Sequence, residues 1–305
     1  MDFICNDCPR NCGANRSEAV PAGVCRSPAL PLVTRAAPHY GEEPCLSGTR
    51  GAGTIFFSGC NLHCVYCQNH AISHGGIGKA VTVPELRDLM RMLRDQGVHC
   101  IDLVTPTHFV RPIAQALEGL ELGIPVVWNS GGYESVETLK RLEGLVQVYL
   151  PDFKYWKPAL SQRYSFAPDY PQVAAAAIRE MFRQTGPYQL DDDGILQKGV
   201  LVRHLILPEQ DLNTMDVIDF LAEEFPAGSI LFSLMSQYTP MPGLERFPEL
   251  LKRVDAETNR RLIAYAQKRG LEGYWQDVDA ATEEMIPDFD GTGLDSIGKP
   301  VDNIK

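Results

Sequence analysis

Short apolar runs alternate with amphipathic stretches along the chain from residue 53 onward. Six runs are apolar on both faces, as buried parallel strands are, and they lie at 54–58, 100–104, 125–129, 146–150, 200–207 and 230–235. Apolar residues recur at helical spacing between them, over 82–93, 109–121, 134–143, 171–184, 213–224 and 246–269. The alternation predicts an α/β fold of about six βα units. Six units are fewer than the eight of a closed barrel, so we expect an open or partial barrel.

The helix predicted after the first strand has the clearest beginning. Leu86, Leu89 and Leu93 share one face, while Thr82 and Glu85 have the spacing of a capping box. The sequence therefore predicts that this helix begins at Thr82. By contrast, the Gly, Pro and Asp residues within 185–198 are typical of a loop.

The first 50 residues follow neither a strand nor a helix period. They are rich in Cys, Pro, Gly and Arg, so we expect an irregular segment that a metal or cluster must order. The Gly- and Asp-rich end of the chain is expected to be loosely ordered. The predicted organisation is a Cys-rich segment over 1–50, a barrel over 51–286 and a tail over 287–305.

Composition limits the classes of function. The 305 residues carry a net charge of -11, which argues against broad binding to nucleic-acid phosphates. No uncharged apolar run reaches the roughly 18 residues of a membrane span, and the first residues lack the pattern of a signal peptide. We therefore expect a cytoplasmic protein that binds no membrane and for which a nucleic-acid partner is disfavoured.

Cysteine is concentrated near the start of the chain. Eight of the nine cysteines lie in the first 67 residues. A disulfide scaffold is disfavoured in a reducing compartment and in a chain of this length. Metal or cluster ligation is the better interpretation.

The stretch FFSGCNLHCVYCQNH, residues 56–70, directly follows the first predicted strand. Its Cys60, Cys64 and Cys67 can bind three corners of a cubane cluster and leave the fourth iron without a protein ligand. The alternative is a zinc site with His63 or His70 as fourth ligand. Closed zinc sites usually use ligand pairs that are separated in the chain, so the cluster is favoured.

This spacing, CxxxCxxC with the aromatic Tyr66 before the last cysteine, resembles the radical SAM superfamily. The resemblance implies a [4Fe-4S] cluster whose open iron binds S-adenosylmethionine (SAM). It also implies reductive cleavage of SAM to a 5′-deoxyadenosyl radical, which abstracts hydrogen from a substrate. The superfamily fold, a partial (β/α)6 barrel, agrees with the strand pattern.

Further stretches are similar to the pyruvate formate-lyase activating enzyme-like branch. These are GTRGAGTIFFSGCNLHCVYCQN, YLPDFKYW at 149–156 and SLMSQYTP at 233–240. The branch implies an oxidoreductase that activates a glycyl radical enzyme and takes electrons from a donor such as flavodoxin or ferredoxin. Many members bind the amino group of SAM with Gly-Gly-Glu after the second strand, where this chain has Thr105 and Thr107 instead.

Polar residues follow the predicted strands, and active sites of such barrels form at those ends. Asp152 and Lys154 are two apart and so face the same side. The alternative is a pair of solvated charges at the strand end. Arg203 lies inside an apolar strand and needs either an anionic ligand or an ion-pair partner. We expect SAM contacts from Tyr66, Thr105, Thr107, Asn129, Asp152, Lys154, Arg203 and Gln237.

A second set of cysteines precedes the barrel. Cys5, Cys8, Cys12 and Cys25 provide four ligands at spacings that suit either a second iron–sulfur cluster or a structural zinc. A redox role and a purely structural role are both open.

Three functions are compatible with these patterns. The first is activation of a glycyl radical enzyme, and the second is radical SAM modification of another peptide, an RNA or a small molecule. The third is a non-enzymatic iron–sulfur or zinc sensor, which the barrel and its polar strand ends disfavour.

Overall fold

The computed structural model describes residues 3–17, 20–74, 76–277 and 287–295. Its strands are β1 (Phe3–Cys5), β2 (Ala14–Arg16), β3 (Leu32–His39), β4 (Ala52–Phe57), β5 (Lys79–Ala80), β6 (Ile101–Val104), β7 (Val126–Ser130), β8 (Val148–Pro151), β9 (Gln189–Leu190), β10 (Leu196–Leu205), β11 (Leu231–Met235) and β12 (Glu272–Trp275). Its helices are α1 (Pro44–Ser47), α2 (His70–Ser73), α3 (Val83–Asp95), α4 (Val110–Leu117), α5 (Val136–Leu139), α6 (Pro158–Ser165), α7 (Tyr170–Thr185), α8 (Asp211–Glu224) and α9 (Ala256–Lys268).

One curved sheet forms the body of the molecule. Strands β4, β6, β7, β8, β10, β11 and β12 are parallel and follow chain order across it. The antiparallel β3 and β5 extend the sheet beyond β4. The path of paired strands ends at β12 on one side and at β5 on the other. In the described part of the chain the barrel is therefore open, and the α/β fold expected from the sequence is confirmed.

Side chains alternate between the two faces of the sheet, as the period of a strand requires. The inward face of the sheet packs around Cys45 and Leu46 of α1, which fill the barrel. The inward residues in this cluster are Ala52, Cys100, Val127, Val148, Leu201 and Leu231. The outward layer packs under the helices through residues such as Ile55, Leu103, Trp128 and Val202. Both faces are buried, which explains why these strands are apolar throughout.

All six predicted strands are present, and a seventh parallel strand follows them. The sequence did not indicate β12, because Glu272–Trp275 is short and only partly buried. Five predicted helices appear as α3, α4, α5, α7 and α8. The helix predicted over 246–269 begins only at 256, because Asp255 caps it by accepting a hydrogen bond from the Thr258 amide at 2.8 Å.

The capping box of α3 forms as expected. Thr82 accepts from the Glu85 amide at 3.4 Å, and the Thr82 amide donates to Glu85 at 2.7 Å. Helix α6 was not predicted, and the predicted loop over 185–198 contains the hairpin of β9 with β10.

Residues 32–39 form a strand within the segment that we expected to be irregular. Thr34, Arg35 and Pro38 interrupt the alternation of apolar and polar residues in this strand, so the sequence does not indicate it. Its backbone pairing with β4 orders it. Residues 287–295 of the predicted tail pack against the same strand. The Ala36 amide donates to Thr292 O at 2.9 Å, and Leu294 is buried. Residues 278–286 and 296–305 lie outside the described residues.

Candidate active site

A cavity opens at the carboxyl ends of the parallel strands. Ten of the side chains that the sequence singled out line it: Cys60, Cys64, Cys67, Tyr66, Thr105, Asn129, Asp152, Lys154, Arg203 and Gln237. They come from one loop and five strands because parallel strands end at the same edge of a sheet. The three cysteines and the charged strand ends therefore share one space.

The cluster loop, residues 59–67, follows β4 directly. Left-handed backbone at Gly59 and His63 turns the chain twice before Cys64. The Leu62 amide donates to Cys60 Sγ at 3.3 Å, and Ser165 Oγ donates to Cys64 Sγ at 3.0 Å. These donors face sulfur atoms and so stabilise thiolates.

Burial makes three free thiolates unfavourable in this loop. It raises the pKa of the Cys60 thiol, and it raises the pKa of Cys67 to about 12, with the neighbouring Cys64 adding to both shifts. A positively charged group bound by all three would remove this cost. The donor set therefore fits the iron–sulfur cluster that the sequence predicts.

The zinc alternative lacks its fourth ligand. His63 Nε2 contacts Val24 O at 2.7 Å, and the ring of His70 stacks on His74 at 4.1 Å. Neither side chain lines the cavity. Among the described residues, no three Cys, His, Asp or Glu side chains converge on a position for a single metal ion.

Tyr66 connects the cluster loop to a group of aromatic side chains. Its hydroxyl lies 2.7 Å from that of Tyr155, which in turn lies 2.7 Å from Ser165 Oγ. A chain of hydroxyls therefore runs from Tyr66 to the sulfur of Cys64. The sequence missed Tyr155 and Ser165, because neither belongs to a pattern that distinguishes it from ordinary packing.

Arg203 is the centre of a buried polar layer beneath the cavity. Its guanidinium donates to Asp152 at 3.1 Å, to Glu42 at 3.2 Å and to Asn129 at 2.5 Å. Lys154 Nζ pairs with the other oxygen of Asp152 at 2.5 Å. The ion-pair alternative for Arg203 is thus realised, and Asp152 and Lys154 are partly buried partners rather than solvated charges.

Carboxyl groups outnumber cations in this layer. Glu42, Glu43 and Asp102 join Asp152 around the Arg203 side chain. Burial is the main cause that raises the pKa of Asp102 well above its usual range, and the neighbouring Glu42 adds to it. Burial acts on Asp152 in the same direction, but Lys154 and Arg203 outweigh it and lower its pKa.

The segment before α1 supplies the two glutamates. Cys45 and Leu46 are buried inside the barrel and hold this segment there. Sequence reasoning missed Glu42, Glu43 and Asp102. Asp102 carries the same signal as Arg203, a charge within an apolar strand, whereas nothing local marks the glutamates.

Thr107 does not reach the cavity. Its hydroxyl donates to the buried Glu134 at 2.6 Å, as does Trp128 Nε1 at 3.2 Å. The expected SAM contact from Thr107 is therefore corrected: a buried carboxylate between α4 and α5 takes its hydroxyl instead.

No helix in the described ranges is long and apolar enough to cross a membrane.

The raised pKa of Asp102 predicts a pH dependence of stability. The folded protein holds this proton more tightly than the unfolded chain, so the contribution of Asp102 to stability should fall as pH rises above about 4. Asp102→Asn removes that loss and keeps an oxygen for the Asn129 amide. We expect the urea midpoint of the variant to gain on wild type between pH 5 and pH 8.

The control for this experiment is Asp88→Asn, which removes an exposed carboxylate of α3. It should leave the difference from wild type constant over the same pH range. A constant difference for Asp102→Asn as well would contradict the assignment of a raised pKa.

Comparison with known proteins agrees with this geometry. Residues 54–184 match the sequence profile of the Radical SAM superfamily. The chain is 29% identical over 278 residues to the uncharacterized protein MJ0674 of Methanocaldococcus jannaschii, covering 88% of this chain and 75% of that protein.

Two solved structures share the fold. Streptococcus suis SuiB bound to S-adenosylmethionine has a TM-score of 0.52 at 16% identity and covers 76% of this chain. SuiB bound to its precursor peptide SuiA has a TM-score of 0.50 at 15% identity and covers 75%. This chain spans about half of the SuiB chains, 52% and 49%. The sequence match shows that residues 54–184 are similar to the Radical SAM superfamily, and the solved structures show that the fold is shared.

Proposed function

We propose that this chain is a radical SAM enzyme whose Cys60, Cys64 and Cys67 hold a [4Fe-4S] cluster. When bound, such a cluster supplies one electron that cleaves SAM into methionine and a 5′-deoxyadenosyl radical. The observation that carries the proposal is the single cavity shared by three thiols and the partly buried Lys154–Asp152–Arg203 network. A zinc or cluster sensor needs the cysteines but has no use for that network.

Lys154 is our candidate for the carboxylate of SAM. Its ammonium group lies beside the cluster loop. Burial lowers the pKa of Lys154, but Asp152 and then the neighbouring Cys64 and Cys67 outweigh burial, so the pKa is raised. An ammonium group has three N–H donors, and Asp152 takes one. The remaining donors can bind an anionic group while Asp152 and Arg203 keep the side chain in place.

The amino group of SAM needs oxygen atoms. Thr105 lines the cavity at the strand end where Gly-Gly-Glu is absent, and its backbone is held in a left-handed conformation by a bond to Asn129 O at 2.8 Å. Glu42 lines the floor of the same cavity. We assign the ammonium contact to these two residues.

Apolar side chains line the remaining wall of the cavity. Phe56, Phe57 and Ile72 are buried there, and Leu205 and Met235 lie on the opposite strands. Such a wall excludes water from the reacting groups, which a carbon radical requires.

Cys64→Ala tests the cluster assignment. The substitution removes the most buried of the three thiols, so the protein should lose the cluster and form no 5′-deoxyadenosine with dithionite and SAM. Cys100→Ala is the matched control, since this cysteine lies inside the barrel core, away from the loop. Retained cleavage in Cys64→Ala, or equal loss in the control, would contradict the assignment.

Lys154→Met tests the carboxylate contact. A hydrogen bond to a charged group contributes about 1.5–3 kcal/mol, so the KM for SAM should rise about 10- to 100-fold with a smaller change in kcat. Lys157→Met is the control, because Lys157 is half-exposed and pairs with Asp216. Iron content should match wild type in both. An unchanged KM in Lys154→Met would rule out this role.

We propose a peptide or protein as the substrate. SuiB, which shares the fold, has been solved with a precursor peptide, and this supports a peptide without identifying one. The similarity of 149–156 and 233–240 to activating enzymes favours the glycine of a glycyl radical enzyme as the site of hydrogen abstraction.

Isotope transfer distinguishes these substrates. A glycyl radical enzyme deuterated at glycine should pass deuterium into 5′-deoxyadenosine and acquire a glycyl radical signal in electron paramagnetic resonance. Transfer from other deuterated peptides without that signal would instead support peptide modification. If neither protein nor peptide transfers deuterium while SAM is still cleaved, the peptide proposal fails.

A further inference from the structure

The four N-terminal cysteines are brought close together by a compact segment. Strands β1 and β2 pair, with Cys5 opposite Ala14. Cys25 lies in the turn that the Ala22–Ser27 bridge closes. A Cβ atom placed on Gly23 would lie 3.0 Å from Cys12 Sγ and 3.9 Å from Cys25 Sγ. Cys8 has both Cys5 and Cys25 as electrostatic neighbours. The four sulfur atoms therefore surround one region.

A buried cation accompanies these thiols. Arg16 is 2% exposed, and its guanidinium donates to Cys25 Sγ at 2.6 Å and to His108 O at 2.6 Å. In the described ranges, no carboxylate forms an ion pair with Arg16. A buried guanidinium is stabilised by an anion, and a metal-bound thiolate of Cys25 supplies one.

Geometry favours a cluster over zinc. With Zn–S bonds of about 2.3 Å, a tetrahedral zinc site draws its sulfur atoms to about 3.8 Å from one another. All four cysteines are described, yet no three of them converge on a single ion position. A cubane bound through its corners keeps its thiolate ligands farther apart.

The same segment is docked on the cluster loop. Arg10, between Cys8 and Cys12, donates to the carbonyl oxygens of Asn61 at 2.7 Å and Leu62 at 3.2 Å. It also donates to the carbonyl oxygens of residues 165 and 166, beside the hydroxyl that bonds Cys64. One side chain thus connects the N-terminal cysteines to the backbone between Cys60 and Cys64.

Two further contacts hold the segment at the ends of the loop. A Cβ atom on Gly59 would lie 2.6 Å from Cys25 O, so only glycine permits this approach next to Cys60. His63 reaches Val24 O from the other side of the loop. The backbone around Cys25 is therefore in contact with both ends of the turn that presents Cys60 and Cys64.

We propose that Cys5, Cys8, Cys12 and Cys25 bind a second iron–sulfur cluster, which orders residues 3–17 and 20–27 as a clamp that positions the cluster loop through Arg10. The positioning role rests on the proposed function of that loop, whereas the second cluster itself does not. Arg10 acts as a positioning residue through the loop backbone, and His63 does so through Val24 O; neither side chain lines the cavity.

Metal analysis separates the two proposals. After anaerobic reconstitution, wild type should hold about eight iron and eight sulfide per chain, as two [4Fe-4S] clusters require. The triple variants Cys5/Cys8/Cys12→Ala and Cys60/Cys64/Cys67→Ala should each keep about four. Zinc in wild type that the first variant loses, or iron that the first variant does not lose, overturns the second cluster. Full iron in the second variant overturns the proposed function instead.

Arg10→Met tests the positioning role with all seven proposed cluster ligands intact. SAM should perturb only the cluster with an open iron, so the change in the paramagnetic resonance spectrum on adding SAM reports on the loop. We expect that change to differ from wild type in Arg10→Met, at unchanged iron content. Arg50→Met, whose guanidinium contacts His99, is the control and should match wild type. An unaltered response in Arg10→Met would refute the clamp.

Discussion

Incomplete ligation of the proposed cluster is the requirement that explains the arrangement of the cavity and its polar strand ends. One short loop after β4 presents three thiols to a buried cavity, and a cubane held by three thiolates has one iron left for another ligand. Such a site is useful only if the vacant corner faces a space that binds a second molecule. The parallel sheet provides that space, since its strands all deliver their polar ends to the same edge as the loop.

The polar layer beneath the cavity pairs cations with carboxyl groups. Two cations, Arg203 and Lys154, are held in place by buried carboxyl groups, and Asp152 joins both of them. Burial favours the neutral form of Asp102, whereas these cations keep Asp152 ionised. These contacts fix the ammonium group of Lys154 at the cavity, where we propose that SAM binds.

Sequence patterns predicted the parts of this molecule that follow a local rule. The six buried strands are apolar throughout, the capping box at Thr82 has a fixed spacing, and the three loop cysteines form a compact motif. These rules hold because they depend on neighbours in the chain. The convergence of polar residues at the strand ends was also predictable, since parallel topology alone brings Asn129, Asp152 and Arg203 together.

Features that depend on distant parts of the chain were not predictable. Strand β3 is ordered by pairing with β4, and Glu42 enters the barrel because α1 packs inside it. Thr107 has the right position in the chain, but Glu134 takes its hydroxyl. The contacts of Arg10 with the cluster loop join residues about fifty positions apart and leave no periodic signal.

The open iron can be observed directly. Electron–nuclear double resonance on the reduced protein with SAM labelled in its amino nitrogen and carboxylate oxygen reports whether those atoms bind the cluster. Our account predicts hyperfine coupling to both labels in wild type. A reduced cluster that shows coupling to neither label, although SAM is bound, would contradict the claim that three thiolates leave one iron vacant for the cofactor.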